Sequence, residues 1–264
     1  MTRMQTNSGN CLAKNNYKCP LCKDTGWRII PDKGQGTMKE CECGTAQRLI
    51  MERRLSFANI PNSFKGMTLN NFYVNIYRND KSRKKAQSAI KAIQYWLDNY
   101  EHMKNKGMGL YLYSVSTGSG KTRMAASIAN ELIHNTKITV KFATSLQILN
   151  EIKGSWNEET EYNENQLLND LSAVEVLIID DFGIESGYKD WINERFYHII
   201  NTRYIDKKIT IFTSNLRINQ LKYDDRITER IKERTFQIPF PEESVRELIA
   251  QRNLSELING IKNQ

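Results

Sequence analysis

The feature that most constrains this chain is an apolar strand, a glycine-bearing loop and a helix laid end to end from residue 109 to 133. GLYLYS (109–114) is a short run of buried-strand type, VSTGSGKT (115–122) a loop, and TRMAASIANELI the opening of a helix. In that context Gly118 and Gly120 let the backbone turn sharply, so that successive N–H groups, with Thr117 and Ser119 in the loop, converge on phosphate oxygens. The helix beginning near Lys121 adds its dipole; Lys121 would reach the β and γ phosphates of ATP, and Thr122 would offer its hydroxyl to Mg2+. One position departs from the G-x-x-x-x-G-K-[ST] pattern. Val115 stands where glycine is usual, and a valine forced to positive φ would be strained.

Downstream, strands and helices alternate. ITVKFAT (138–144), VEVLIID (174–180) and KITIFTS (208–214) read as strands; SLQILNEI, NQLLNDL and KDWINERFYHIINTRY read as the intervening helices. Such alternation implies an α/β fold with a parallel sheet covered on both faces. The tail, ITERIKER and EESVRELIAQRNLSELINGI, reads as helices around a turn containing Pro-Phe-Pro. Upstream, AQSAIKAIQYWLDNY places Ala89, Ile93, Trp96 and Tyr100 at helical spacing, and Gly107 to Gly109 closes that helix.

Two strand ends add chemistry to the loop. VLIIDD carries Asp180 and Asp181: a carboxylate at the carboxyl end of a parallel strand lies beside the phosphates, where Asp180 can hold Mg2+ and Asp181 can polarise an attacking water. Many ATPases place glutamate in the second position, so the shorter aspartate predicts weak or partner-stimulated hydrolysis. Paired acids at a strand end are also an ordinary solvated terminus, and the upstream loop favours the catalytic reading. TSN (213–215) ends the next strand, where Asn215 can hydrogen-bond the γ-phosphate or the water.

The first block, to about Arg54, reads as a loop module leading into a helix. Cys19 and Cys22 form C-P-L-C, and Cys41 and Cys43 form C-E-C after 18 intervening residues. Two close pairs at this separation can give a closed tetrahedral thiolate site for a structural Zn2+, the alternative being free or redox-active thiols. Cys11 is a spare, and His102, His134 and His198 lack ligand spacing. Residues 1–54 hold ten Lys/Arg against five Asp/Glu, so +5 of the +8 formal charge sits there. Such a mild excess permits nucleic-acid contact and is more often a solvated surface. No apolar run reaches the roughly 18–20 residues of a membrane helix, and MTRMQTNSGN lacks the apolar core of a secretory signal, so the expectation is a cytoplasmic protein without a membrane partner. The predicted organisation is a cysteine-rich module (1–54), an ordered connector (55–80) and a nucleotide-binding domain (81–264).

Together, GSGKT, LIIDDFGIE, the helix ending IINTRY, and FTSNL followed by DDRITERI resemble the bacterial and phage replicative helicase loaders of the DnaC and DnaI family, with the IstB transposition ATPases as cousins. The resemblance implies an AAA+ P-loop core of three layers and an arginine finger supplied to a neighbouring copy's ATP. Arg230 matches the finger's position best and Arg226 is second, unless both simply pair with Asp225, Glu229 and Glu233 on the helix surface. Arg246 matches a sensor arginine. It further implies ATP-dependent loading of a DnaB-type replicative helicase onto single-stranded DNA in replication initiation, with ATP-dependent self-association and the zinc module gripping the helicase. An IstB-like partner of a transposase, a small-molecule P-loop kinase and a nucleotide-gated adaptor with negligible hydrolysis are the other readings.

Overall fold

The computed structural model describes residues 17–32, 35–136, 138–156, 164–185 and 190–262. Cys11 lies outside them. The chain divides into two compact units, Met1–Glu52 and Arg53–Gln264.

In the smaller unit, strands β1 (Trp27–Asp32) and β2 (Gln35–Glu40) form an antiparallel hairpin, and helix α1 (Thr45–Ala58) begins close behind it. The sequence reading saw no strand periodicity here. The reason is that neither hairpin face is buried: Ile29 and Met38 pair across the strands and are 74% and 65% exposed, so no apolar-polar alternation is required.

The larger unit carries helices α2 (Asp80–Asp98) and α3 (Tyr100–Lys106), then strand β3 (Gly109–Tyr113) and helix α4 (Lys121–Thr136). Asn79 caps α2 by accepting from the Lys81 N–H, and the apolar stripe Ala89, Ile93 and Trp96 is buried. Gly107, at φ 66°, ends α3; a Cβ there would sit 2.9 Å from Lys207 Cα. Strand β4 (Val140–Thr144), helix α5 (Ser145–Gly154), helix α6 (Glu164–Ala173), strand β5 (Val176–Asp180), helix α7 (Asp190–Ile205) and strand β6 (Ile209–Ser214) follow. Helix α8 (Asp225–Arg234), strand β7 (Thr235–Pro239) and helix α9 (Arg246–Lys262) complete the unit.

The five strands form one parallel sheet in the order β4-β5-β6-β3-β7. Every residue of β5 is buried, so both sheet faces are covered, α4 packing across β3, β4, β5 and β6. β7 corrects the sequence reading, which placed only a turn between the last two helices. Its burial does not alternate, Thr235 and Ile238 being inside with Phe236 and Gln237 exposed between them, and it occupies a sheet edge, where Pro239 is tolerated.

Among the described residues, Arg203 of α7 is the most deeply buried of the long charged side chains. It is 1% exposed, and its guanidinium donates to the carbonyls of Leu171, Ser172, Val174, Glu175 and Ile209 and to Thr210 Oγ1. Those acceptors belong to the end of α6, the turn into β5 and the start of β6, so one cation satisfies a cluster of otherwise orphaned carbonyls.

Candidate functional site

Because the sheet is parallel, all carboxyl ends lie along one edge, and the strand order sets β5, β6 and β3 side by side. The loop after β3, the acids ending β5 and the asparagine after β6 therefore converge. A cavity of about 320 Å³ is lined by Thr117, Gly118, Ser119, Gly120, Lys121, Thr122, Asp181, Asn215 and Arg246. Gly118 and Gly120 hold φ of 73° and 94°. A Cβ on Gly120 would crowd Phe72 and Tyr77, at 3.0 and 3.1 Å, so the second glycine is required twice over, by backbone and by space. Val115 is not among the residues at positive φ, and its side chain is 59% exposed; the loop therefore tolerates valine where the pattern has glycine.

What the loop lacks in glycine it gains in anchors. Glu242 accepts from the Ser116 N–H (3.1 Å) and Ser114 Oγ (2.9 Å), and the Val245 N–H donates to Gly118 O (3.0 Å). Lys121 Nζ donates to Ser114 O, Ser116 O and Ser119 Oγ at 3.0–3.2 Å. Burial pulls its pKa down, opposed by Asp181, Glu242 and Asp180. A row of N–H groups at a helix start, beside a buried ammonium, is a fit for an anionic phosphate chain.

Thr213 links the two acids: its hydroxyl donates to Asp180 Oδ1 (2.6 Å) and accepts from the Asp181 N–H (2.9 Å). Asp181 sits at φ 54°, a left-handed conformation that aspartate adopts more readily than most residues, and Ser145 Oγ donates to its carbonyl. Asp180 is 3% exposed, and burial raises its pKa from 3.8 to about 6 against the hydrogen bonds of Thr213 and Thr122. The side chains of Thr122 and Asp180 are thus close enough to serve one hard cation such as Mg2+.

A pH-dependent stability follows. The folded pKa of Asp180 lies above its ordinary 3.8, so the fold holds this proton more tightly than the unfolded chain does. Ionisation costs stability as pH rises from about 4 to about 6, and the cost is full above that. Asp180→Asn is expected to stabilise the nucleotide- and metal-free protein at pH 7.5 by about 3 kcal/mol, with the gain vanishing near pH 4. Thermal melts at the two pH values check this; equal stability at pH 7.5 would contradict the burial account.

Arg230 is not among the cavity's lining residues. It donates to Asn201 Oδ1 and Arg226 O and lies over Tyr197 and Tyr204, within a ladder in which Arg226, Arg230 and Arg234 of α8 stack on those two rings of α7 at 4.7–5.4 Å. Arg226 pairs with Asp224.

Sequence reasoning missed the cavity's other wall. Phe64, Met67, Phe72, Tyr73, Ile76 and Tyr77 line it from the segment read as an ordered connector whose aromatics pack on the core or face a nucleic-acid strand. That segment is pinned to the phosphate loop and α4 by Tyr77 Oη donating to Ser119 O, Asn130 Nδ2 to the carbonyls of Phe64 and Met67, and Arg123 stacked on Phe72. The signal was its aromatic content, which needed a partner to pack against.

In the smaller unit, the Sγ atoms of Cys19, Cys22, Cys41 and Cys43 lie within 4.8 Å of one another. The hydrogen bond with Thr45 lowers the pKa of Cys43 to about 6, whereas Cys22, chiefly through burial, and Cys41, to about 11, are raised, so without a metal the group does not ionise together. The donor set and spacing fit a closed Zn2+ site.

A parallel sheet with a phosphate loop, an acid pair and a polar strand end at one edge defines a nucleotide-hydrolysing AAA+ domain, and residues 72–237 match the bacterial DnaA ATPase domain family. The chain is 31% identical over 186 residues to the replicative helicase loader DnaC of Buchnera aphidicola subsp. Baizongia pistaciae (strain Bp), covering 69% of this chain and 70% of that one. It is 25% identical over 224 residues to the phage-like element PBSX protein XkdC of Bacillus subtilis (strain 168), covering 83% and 80%. A crystal structure of DnaI superposes with a TM-score of 0.56 at 28% identity, covering 74% of this chain and all of that one (100%). This chain belongs to the DnaC/DnaI family of replicative helicase loaders, within the DnaA-type AAA+ ATPases. Among the described residues no helix is long and apolar enough to cross a membrane.

Proposed function

We propose that this protein uses ATP, Mg2+ and self-assembly to place a DnaB-type replicative helicase on single-stranded DNA in the cytoplasm during replication initiation. The observation that carries this reading is the convergence of Lys121, Asp181, Asn215 and Arg246 on one cleft, in a chain of the helicase-loader family. The N–H groups from Thr117 to Thr122 cradle phosphates, Lys121 neutralises their charge, and Thr122 with Asp180 holds the magnesium that offsets the rest. Asp181 accepts a proton from the attacking water and Asn215 orients it. Arg246 contacts the nucleotide from the same protomer, and Arg230 completes a neighbour's site. Supplying that cation from a second copy ties hydrolysis to assembly, which suits a loader whose turnover is weak until its partners are present. The cysteine module, residues 1–54 with Zn2+ held by Cys19, Cys22, Cys41 and Cys43, grips the helicase, while residues 81–264 form the motor and 55–80 close its nucleotide pocket.

The test is helicase deposition on circular single-stranded DNA, measured with wild type and Asp181→Asn. The variant is expected to bind ATP within about twofold of wild type and to lose about 100-fold in turnover, leaving helicase and loader together on the circle instead of helicase alone. Normal deposition and release by Asp181→Asn would favour a nucleotide-gated adaptor that does not need hydrolysis.

A further inference from the structure

The DDFGIE segment contains a glutamate that the nucleotide chemistry does not use. Glu185 lies four residues beyond Asp181 and does not line the nucleotide cavity. Its Oε2 accepts from the Gly183 N–H at 3.0 Å and from Tyr223 Oη at 2.6 Å, while its Oε1 is buried with no hydrogen-bond partner among the described residues. A half-buried carboxylate with one oxygen unsatisfied is a cost a fold does not carry for packing alone. Its phenol partner is held a second time: the ring of Tyr223 stacks on Phe182 at 4.7 Å and 16°, and meets Phe196 edge-on at 5.7 Å. Two residues of the loop that follows the catalytic acid, Phe182 and Glu185, therefore clasp one tyrosine by its face and by its hydroxyl.

Both ends of this clasp lead to functional groups. On one side, the Phe182 N–H donates to Thr213 O, Ser214 Oγ donates to Phe182 O, and Thr213 bridges Asp180 and Asp181. On the other, Tyr223 immediately precedes Asp224, which caps α8 by accepting from the Arg226 N–H. Arg230 lies on that same rigid helix, seven residues from Tyr223, held between Tyr197 and Tyr204. We propose that Glu185 and Tyr223 form a latch that sets the position of α8, and so of the arginine it offers to a neighbouring copy, according to the state of the acid pair in its own site. Tyr223 is on this account a positioning residue, and the inference rests on the reading that Arg230 acts in a neighbouring copy's site.

Tyr223→Phe keeps the ring stack and removes the bond to Glu185. The full-length variant is to be assayed for binding of a fluorescent ATP analogue, and for turnover at assembling protein concentrations with single-stranded DNA, alone and mixed equally with Asp181→Asn. The expected result is analogue affinity within about twofold of wild type, turnover down about tenfold, and recovery of several-fold on mixing. Recovery is expected because Asp181→Asn, with an amide of the same shape in its acid pair, keeps Glu185, Tyr223 and Arg230 and offers that arginine to sites whose acids are whole. Wild-type turnover in Tyr223→Phe overturns the latch, as does a loss that mixing does not restore, since the defect then lies in the variant's own acid pair. Arg230→Ala in the same mixture separates the two claims. If it is rescued while Tyr223→Phe is not, the latch alone fails; if it turns over like wild type, the arginine reading fails and the latch with it.

Discussion

Removing zinc from the full chain is expected to unfold the cysteine module while the ATPase unit stays folded. Among the described residues of the cysteine module, the buried apolar side chains apart from Ala46 are those of Cys19, Cys22 and Cys41; Ile29, Met38 and Leu21 are at least 65% exposed. With so little apolar surface covered, burial does not offset the entropy of ordering the backbone, and the metal must supply the difference. Structural zinc sites contribute roughly 10–16 kcal/mol at neutral pH, which is of the size required. Gly26 shows how closely the unit is drawn together: a Cβ there would meet Ala46 N at 2.4 Å, while its carbonyl accepts from the Cys41 N–H. Titration with a strong chelator, followed by hydrogen exchange, should show residues 17–52 losing protection while β3, β5 and β6 keep theirs, with Cys41→Ser behaving the same way. Retained protection in the chelated protein would show that the module folds without metal.

The second large effect concerns Arg203. Arg203→Met is expected to destabilise the ATPase unit by about 4 kcal/mol, since each buried carbonyl left without a donor costs about 1–3 kcal/mol and some find replacements. Against a total stability of about 5–15 kcal/mol, that is a large share, and the variant's denaturation midpoint should fall steeply. Burial works against the charge of this side chain, yet the guanidinium, with its five N–H groups, keeps it, and six acceptors encircle it. Lysine, with a compact ammonium, cannot reach acceptors spread over three elements, so Arg203→Lys should fall close to Arg203→Met. Chemical denaturation checks both; a loss below about 1 kcal/mol, the net worth of one ordinary hydrogen bond, would mean the carbonyls have other partners.

These two cases also show what the sequence made legible. The phosphate loop, the acids and the three strands behind them carry their signal locally, because buried parallel strands must be continuous apolar runs and a phosphate cradle needs glycine at fixed offsets. Cys19, Cys22, Cys41 and Cys43 were readable for a like reason, their two close pairs having the spacing of a set that could hold one ion, and their Sγ atoms lie within 4.8 Å of one another. Arg203 was not readable: nothing in IINTRY distinguishes a surface arginine from one buried among carbonyls 28 to 32 residues away in sequence. The connector's role as a pocket wall was hidden likewise, since Phe72 and Tyr77 find the phosphate loop only in three dimensions. The strand β7 escaped because an edge strand of five residues with a terminal proline has no distinct period.

The partner proposed for this ATPase is a replicative helicase. Affinity purification of the tagged full-length protein from its native source, with ATP and Mg2+ present and bound proteins identified by mass spectrometry, tests it most directly. A ring-forming replicative helicase, recovered with wild type and lost when Cys41 is replaced by serine, is the predicted result. Recovery of a transposase in its place would contradict the claim and leave only the nucleotide site standing.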